Sequence, residues 1–476
     1  MKKYDFANYV PRSMRRRAAV EKFFSGKLYA FLVTALVLIA HTTATELYIM
    51  PILCIAATVG FIICDSIRHF LPLLLTFIYM VNAKHSPGVP YWSDYYSSGL
   101  RLGIIIFFFV ILGIGFLYYI IRRVIPRMKG RMPPMLIPIL ILSVSFMTNG
   151  LFYPEYTANN LIYGGAQVLV YFVLFYAVYY GLENEDTDAI ISYFTYLGLL
   201  IAMVLLGEMA FIFLTYDGIF TPDGSIVKTM ILTGWGVSNP LGFSLGILMP
   251  LLTLGAMRSK RFAPVYYLVF ILCWAGATLT LSRNALLCAG TALLVCSILG
   301  CFIGRNKKMF RICACVIVGV AAIATLLLFN KITVLIQGLL NQGFNNNGRY
   351  FLWNLAIDFY KSAPIFGVGF YGFDDGTHFN VAKFLPVMAH NTVPQLLASM
   401  GLFGTAAYSF YRLATLRTFF KKMTVDKLML FGIFLYFGVS SLLDNFVFYI
   451  YTAFLYVVAL AIAQKILDKK EKEIKK

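Results

Sequence analysis

Predominantly apolar runs recur along the chain from near Leu28 to near residue 464. About 20 such residues, wound as a helix, cross the hydrocarbon core of a bilayer. Fourteen candidate spans follow, at roughly 28–45, 47–64, 69–83, 99–121, 135–150, 161–181, 188–215, 236–257, 263–281, 285–304, 312–329, 392–411, 428–443 and 446–464. The third, fifth and thirteenth are short and one of them could be re-entrant, so 12–14 spans are expected. Composition supports the same class. Of 476 residues, 60% are hydrophobic and only 13% charged, where soluble chains carry about 45–50% and about 25%. The expected fold is an all-α polytopic membrane protein, and a soluble enzyme, a disordered scaffold and a secreted disulfide miniprotein are excluded. The first apolar run has no small-residue cleavage site and is followed by many more, so no signal peptide is expected. The eight cysteines lie in or beside apolar runs, form no CxxC pair, and read as small core residues.

A net charge of +19 would suit a nucleic-acid surface if it were spread over the chain. With fourteen alternating spans, however, 32 of the 40 Lys and Arg residues fall on one side. The net charge is then +21 inside and −2 outside. By the positive-inside rule both termini are cytoplasmic. The basic excess reports insertion and attraction to anionic headgroups, and no nucleic-acid partner is expected. The acidic segment ENEDTDA (183–189) falls inside, but acidic residues count little for orientation. No repeat of 20–50 residues and no inverted pair of Gly/Pro-broken spans is found, which disfavours a repeat-built transporter. The organisation read is a basic N-terminus (1–27), eleven spans (28–329), an external loop (330–391), three spans (392–464) and a basic tail (465–476).

That external loop, about 60 residues long, stands out because long loops in compact proteins are usually functional. In 331–342, Ile332, Leu335, Ile336, Leu339 and Leu340 share one face of an amphipathic helix, suited to the interface. Asn347 is a candidate N-cap for a second short helix starting near Arg349. Arg349 and Trp353, four residues apart, share a face of it. A helix N-terminus favours an anion, and arginine adds a bidentate donor. Pro364, Gly367, Gly369 and Gly372 mark a tight turn close to the membrane. His390 then precedes a helix capped by Asn391 or Thr392, with Pro394 in its first turn. It could cap that helix or bond a carbonyl. It could equally serve as a proton acceptor kept neutral by the positive helix end.

Further polar groups accompany the loop. Arg283 lies alone in the turn between two apolar spans, at the outer end. It can be a plain hairpin turn, but an arginine at the membrane edge is a functional candidate. Two arginines and a neutral histidine suit an anionic leaving group and a hydroxyl nucleophile. The segment GWGVSNPLGFSLG (234–246) places Asn239 and Pro240 at the outer start of a span, for close backbone approach or as a flexible helix start. Glu208 lies within the seventh span, near its outer end. It can pair with an outer arginine, act as a relay carboxylate, or be a bonded core carboxylate.

Taken in order, an SRxA-type turn at Arg283, then GRYFLW…APIFGVGFYGF, then AHNTVPQLLASMGLFGTAAY resemble the signature of the O-antigen ligase and O-antigen/capsule polymerase superfamily. GWGVSNPLG resembles an upstream element of the same family, and the resemblance covers about 234–410. It implies a GT-C-like membrane glycosyltransferase acting on glycans carried by a polyprenyl pyrophosphate in the outer leaflet. It implies that Arg283 and Arg349 bind the pyrophosphate and that His390 activates the acceptor hydroxyl. The family activity needs neither cofactor nor metal. The outer loops offer no DxD cluster, and Asp374–Asp375 reads as loop solvation. Trp353, Asn391, Asn239, Gly367, Gly369, Tyr371 and Glu208 complete the candidate substrate-binding set. The loop aromatics Trp353, Tyr350, Tyr360, Phe370 and Tyr371 could stack on sugars or anchor at the interface. The implied partners are the lipid-linked glycan donor, a glycan acceptor, the bilayer, a flippase and a chain-length regulator. The implied location is the bacterial cytoplasmic membrane with an extracytoplasmic site.

A polymerase, whose acceptor is a second lipid-linked repeat unit, is expected because polymerases of this kind commonly have this length and many spans. A ligase acting on lipid A core is the alternative. A polysaccharide flippase is a third reading, disfavoured because Glu208 is the only acidic side chain deep in a span.

Overall fold

The computed structural model describes residues 12–43, 45–76, 99–128, 132–222, 224, 226–233, 236–327, 349–370 and 389–474. The fold is all-α and polytopic. In chain order the principal helices are α1 (Arg12–Phe24), α2 (Lys27–Thr43), α3 (Glu46–Ile63), α4 (Leu71–Thr76), α5 (Gly99–Met128), α6 (Leu136–Met147), α7 (Ala158–Gly181) and α8 (Thr187–Thr215). They continue with α9 (Ser238–Arg258), α10 (Ala263–Leu279), α11 (Arg283–Phe302), α12 (Lys307–Leu327), α13 (Arg349–Ser362), α14 (Thr392–Phe420), α15 (Val425–Leu443) and α16 (Ile450–Ile474). Before α9, strands β1 (Leu232–Thr233) and β2 (Gly236–Val237) pair antiparallel, Leu232 opposite Val237 and Thr233 opposite Gly236. Single π-helical turns interrupt α5 at Ile120–Val124 and α7 at Leu169–Leu174.

Each expected span carries a helix, but the number long and apolar enough to cross a membrane is smaller. Among the described residues it is eight, or nine if α1 and α2, bent by 48°, form one span. Segments expected at 69–83, 135–150 and 263–281 carry the shorter apolar helices Ile67–Thr76, Leu136–Met147 and Ala263–Leu279. The expected interfacial helix 331–342, the Asn347 cap, Tyr371 and Asp374–Asp375 lie outside the described residues.

The chain divides into two compact units, 1–132 with 176–241, and 133–175 with 242–476. In the first, α2 packs on α8 and α3 on α5. Four segments expected to be cytoplasmic meet at one end of it. Arg68 pairs with Glu185, Arg123 Nη2 with Asp65 Oδ1 at 2.7 Å, and the Asp65 amide donates to Glu21 Oε1 at 2.7 Å. Arg127 Nη1 donates to the Tyr180 carbonyl at 2.8 Å. The acidic segment therefore has two local uses. Glu185 neutralises Arg68, and Asp186 caps α8 by accepting from the amides of Asp188 and Ala189.

In the second unit, α11 packs between α10, α12 and α15, while α14 packs on α6, α13, α15 and α16. One end again gathers residues expected inside. Arg258 Nη1 meets Asp426 Oδ1 at 2.6 Å, Lys421 Nζ meets Glu471 Oε1 at 2.5 Å, and Asn306 Nδ2 donates to the carbonyls of Ala256 and Ser259 at 2.6 Å. The opposite end holds the start of α11, the end of α15 and the residues before α14. Cys54, Cys64, Cys273, Cys288 and Cys296 are buried as expected, and all eight cysteines are free. Cys315 departs from the core expectation. It is exposed on α12, where it lines an open groove beside α11.

The sidedness has a direct check in a cysteine-free background. Lys260→Cys should react with a membrane-impermeant maleimide only after the cytoplasmic face is opened, and Ser362→Cys in intact cells. Reaction of both from the same side would refute the alternating topology.

Candidate active site

The site begins with a broken helix. α14 is interrupted at Gly401, which has φ 62° and ψ −162°. The break exposes carbonyls that a continuous helix would use internally. The segment after α13 fills it. The amides of Val368 and Gly369 donate to the carbonyls of Ala398 and Ser399 at 2.8 and 3.0 Å. In return the amides of Leu402 and Phe403 donate to Pro364 and Ile365 at 2.8 and 3.1 Å. Buried backbone groups without partners are costly, so this exchange satisfies both strands of the contact.

The glycines of the APIFGVG segment follow from that approach. Gly367 and Gly369 have φ of 71° and 90°, where only glycine is unstrained. A Cβ at Gly367 would strike the Ala398–Met400 backbone, and one at Gly369 the Asn160 side chain. Gly150, at φ 68°, touches Gly369 and donates its amide to the Phe366 carbonyl at 2.9 Å. Asn149 Oδ1 accepts from the Phe370 amide at 3.1 Å, and its Nδ2 donates to the Asn160 carbonyl at 3.0 Å. Gly367 and Gly369 are thus placed as backbone-packing residues, and Phe370 is a core ring against Tyr163.

The same interlock carries α13. Ala356, Val368, Ala389 and Ala398 form a buried cluster with Trp353, Phe359 and Tyr153 packed against it. Trp353 Nε1 donates to the Ala389 carbonyl at 2.8 Å. Trp353 sits one turn after Arg349, the first residue of α13, so a single bond ties the arginine's helix to the residue preceding His390. Asn391 caps α14, its Oδ1 accepting from the Val393 amide at 2.9 Å, which settles the choice between Asn391 and Thr392.

His390 is held by a network that the sequence reading missed. Its Nδ1 lies 3.2 Å from Asp444 Oδ1. The imidazole is 40% exposed while the Asp444 side chain is 5% exposed, so the ring is oriented from beneath and open above. Asp444 Oδ1 also accepts from the Asn445 amide at 2.8 Å. Asn445 Nδ2 and the Ala389 amide both donate to Gln395 Oε1, at 3.0 and 2.8 Å. Gln395 Nε2 in turn donates to Ser399 Oγ at 2.8 Å. Nearby in the same turn, burial first and Asp444 second push the Tyr449 phenol well above its ordinary range, so it keeps its proton. His390 itself has φ 49°, a left-handed conformation that costs a non-glycine residue of order 1 kcal/mol. The available signal was Asp444-Asn445 in the short outer turn between the last two spans.

Arg283 is the exposed first residue of α11, after the Ser282 cap and Leu281 at φ 52°. Its neighbour Asn284 donates Nδ2 to the Ser440 carbonyl at 3.0 Å, one turn before Asp444. Arg283 therefore opens α11 at the end of this unit where His390 and Asp444 meet. Two other candidates belong to the other unit. Asn239 is half-buried at the start of α9. Glu208 is fully buried in α8, with His41 Nε2 at 3.3 Å from its Oε1. Of the readings open for Glu208, the contact fits a partnered core carboxylate, with His41 and not an outer arginine beside it, because α2 and α8 pack along each other.

These features define a multi-pass membrane protein with a strained, carboxylate-supported histidine at one end of a helical unit. Residues 268–409 match the family model described as O-Antigen ligase, and the match supports assigning the chain to the O-antigen ligase/polymerase superfamily. The match contains Arg283, Arg349, Trp353, Gly367, Gly369, His390 and Asn391, and Asp444 lies beyond it. No curated protein matches the chain. The family indicates ligase-type function and a glycosyltransferase-like enzyme acting with lipid-linked glycan and the bilayer.

Replacing Gly367 or Gly401 by alanine should lower stability by about 2 kcal/mol or more, since each combines a positive φ with backbone contact. Thermal unfolding in detergent reads this directly. A change within error would show that the interlock is dispensable.

Proposed function

We propose that the protein transfers a glycan from a polyprenyl pyrophosphate to an acceptor hydroxyl at the extracytoplasmic face of the bacterial cytoplasmic membrane. The observation that carries this reading is the His390–Asp444 contact, within a unit whose family-matched segment also supplies Arg283 and Arg349. Asp444 accepts the Nδ1 proton of His390, which leaves Nε2 as the proton acceptor on the open side of the ring. The acceptor hydroxyl loses its proton to Nε2 as its oxygen attacks the anomeric carbon. The bond to the pyrophosphate oxygen breaks, with inversion in a direct displacement. Asp444 then faces the imidazolium as it forms, and its charge favours that state.

Charge accumulates on the departing pyrophosphate. Guanidiniums held at that oxygen stabilise the transition state more than the ground state. Arg349 stands at a helix N-terminus, whose dipole adds to its own charge. Arg283 opens α11 in the same manner. In this mechanism the two arginines perform without a metal ion what a divalent cation does in other transferases. Trp353 positions Arg349 relative to His390 through its bond to Ala389.

The acceptor we propose is a second lipid-linked repeat unit, which makes the protein a polymerase of O-antigen, capsule or exopolysaccharide units. The description of the matched family favours a second reading, a ligase that makes one transfer to lipid A core. Product distribution separates the two. Reconstituted protein given a lipid-pyrophosphate oligosaccharide should yield a ladder of chain lengths. A single transfer, made only when lipid A core is present, would overturn the polymerase reading.

Substitutions test the roles. His390→Ala and Arg349→Ala should abolish product with protein level and topology unchanged. Asp444→Asn should lower kcat by about 10²–10⁴ through loss of the oriented base. Arg283→Lys should also fail, since an ammonium cannot reproduce a bidentate fork. Wild-type rates in His390→Ala or Asp444→Asn would sink the proton-transfer assignment.

A further inference from the structure

A groove of about 500 Å³ runs between α10, α11 and α12 in the second unit, away from the histidine end. Tyr267, Leu294, Ile298, Arg311, Cys315 and Val318 are among its lining residues. It is almost wholly apolar, with Arg311 at its mouth beside Cys301 and Phe302 at the end of α11. Arg311 Nε donates to the Cys301 carbonyl at 3.2 Å, which fixes the guanidinium at that rim.

Three observations decide what fits there. The first is length. On α11 the lining extends from Leu293 to Phe302, about 14 Å at 1.5 Å per residue, and half of a ~30 Å hydrocarbon core is about 15 Å. The groove therefore spans one leaflet. The second is charge. Arg305 on the connection, and Lys307, Lys308 and Arg311 at the start of α12, are exposed, and Arg311 lines the groove. The sequence has no acidic residue between Asp223 and Asp358. The third is side. Asn306, on the same connection, is bonded to Ala256 and Ser259 at the end of the unit where Arg258 pairs with Asp426, the end expected inside.

We propose that this groove seats an anionic phospholipid of the cytoplasmic leaflet, one acyl chain along α11 and α12 and the phosphate on Arg311. An apolar cleft one leaflet deep accepts an acyl chain. A cationic rim favours an anionic headgroup. The site is independent of glycosyl transfer, and it sits in the family-matched segment without sharing any of the residues assigned to catalysis.

The test uses purified, delipidated full-length protein in detergent. Native mass spectrometry counts the lipid retained after titration with phosphatidylglycerol or phosphatidylcholine of identical chains. Phosphatidylglycerol should be retained about fivefold better, the factor expected from one cation–headgroup contact of about 1 kcal/mol. Arg311→Glu should erase that preference, and Ala314→Trp, which fills the groove, should reduce retention of both lipids. A second readout needs no variant. Alkylation of the exposed Cys315 should slow in the presence of phosphatidylglycerol and not of phosphatidylcholine. Equal retention of the two lipids with no protection of Cys315 would overturn the proposal. So would displacement of phosphatidylglycerol by an equimolar isoprenyl phosphate, which would assign the groove to that lipid instead.

Discussion

Backbone hydrogen bonding at membrane depth is the constraint on which the site rests. A helix that stops inside an apolar layer must find partners for its freed amides and carbonyls. α14 stops and restarts at Gly401, and the Pro364–Gly369 segment supplies those partners through four reciprocal backbone bonds. Everything near the histidine depends on this contact. It holds the C-terminal side of α13 against α14, it brings Trp353 to Ala389, and it presses Gly369 onto Gly150 and Asn160. Glycine at 367, 369 and 401 is required by both conformation and space, so one physical cause explains three residues of the motif.

On that frame the polar network around His390 is fully interconnected. Asp444, Asn445, Gln395 and Ser399 hand hydrogen bonds along from α15 to α14 and back to Ala389. Such networks fix geometry through the bonds their members share, and here the buried Asn445 Oδ1 is left without a partner among the described residues. The result is an imidazole held on its Nδ1 side by a buried carboxylate and exposed elsewhere, in a backbone conformation that non-glycine residues avoid. Strain that a surrounding network over-determines is a common mark of functional sites.

Much of this was legible in the residues. Helix positions followed from apolar runs, and the His390, Arg349 and Arg283 candidates followed from polar residues standing where an apolar chain has no structural use for them. A cap just before Pro394 was readable as Asn391 or Thr392, and the structure chose Asn391. Asp444 was not, because its partner is 54 positions away and a short acidic turn between spans looks like ordinary solvation. The partner of Glu208 was hidden for a related reason. A buried carboxylate announces that it has a partner but not which one, and His41 lies 167 residues earlier. The glycines at 367 and 369 read as a turn, and their close packing against α14 appears only when that helix is seen to break.

The sequence by itself determined the class, a polytopic helical membrane protein, and marked the segment that holds the candidate site residues. These are properties of composition and local pattern, which a bilayer reads almost residue by residue. The tertiary structure alone decided which polar groups meet. Helix length and apolarity say where a chain crosses, but pairings such as His390 with Asp444, Trp353 with Ala389 and His41 with Glu208 depend on which helix faces pack together. That choice is made by long-range packing and backbone satisfaction, and neither leaves a periodic trace in the sequence.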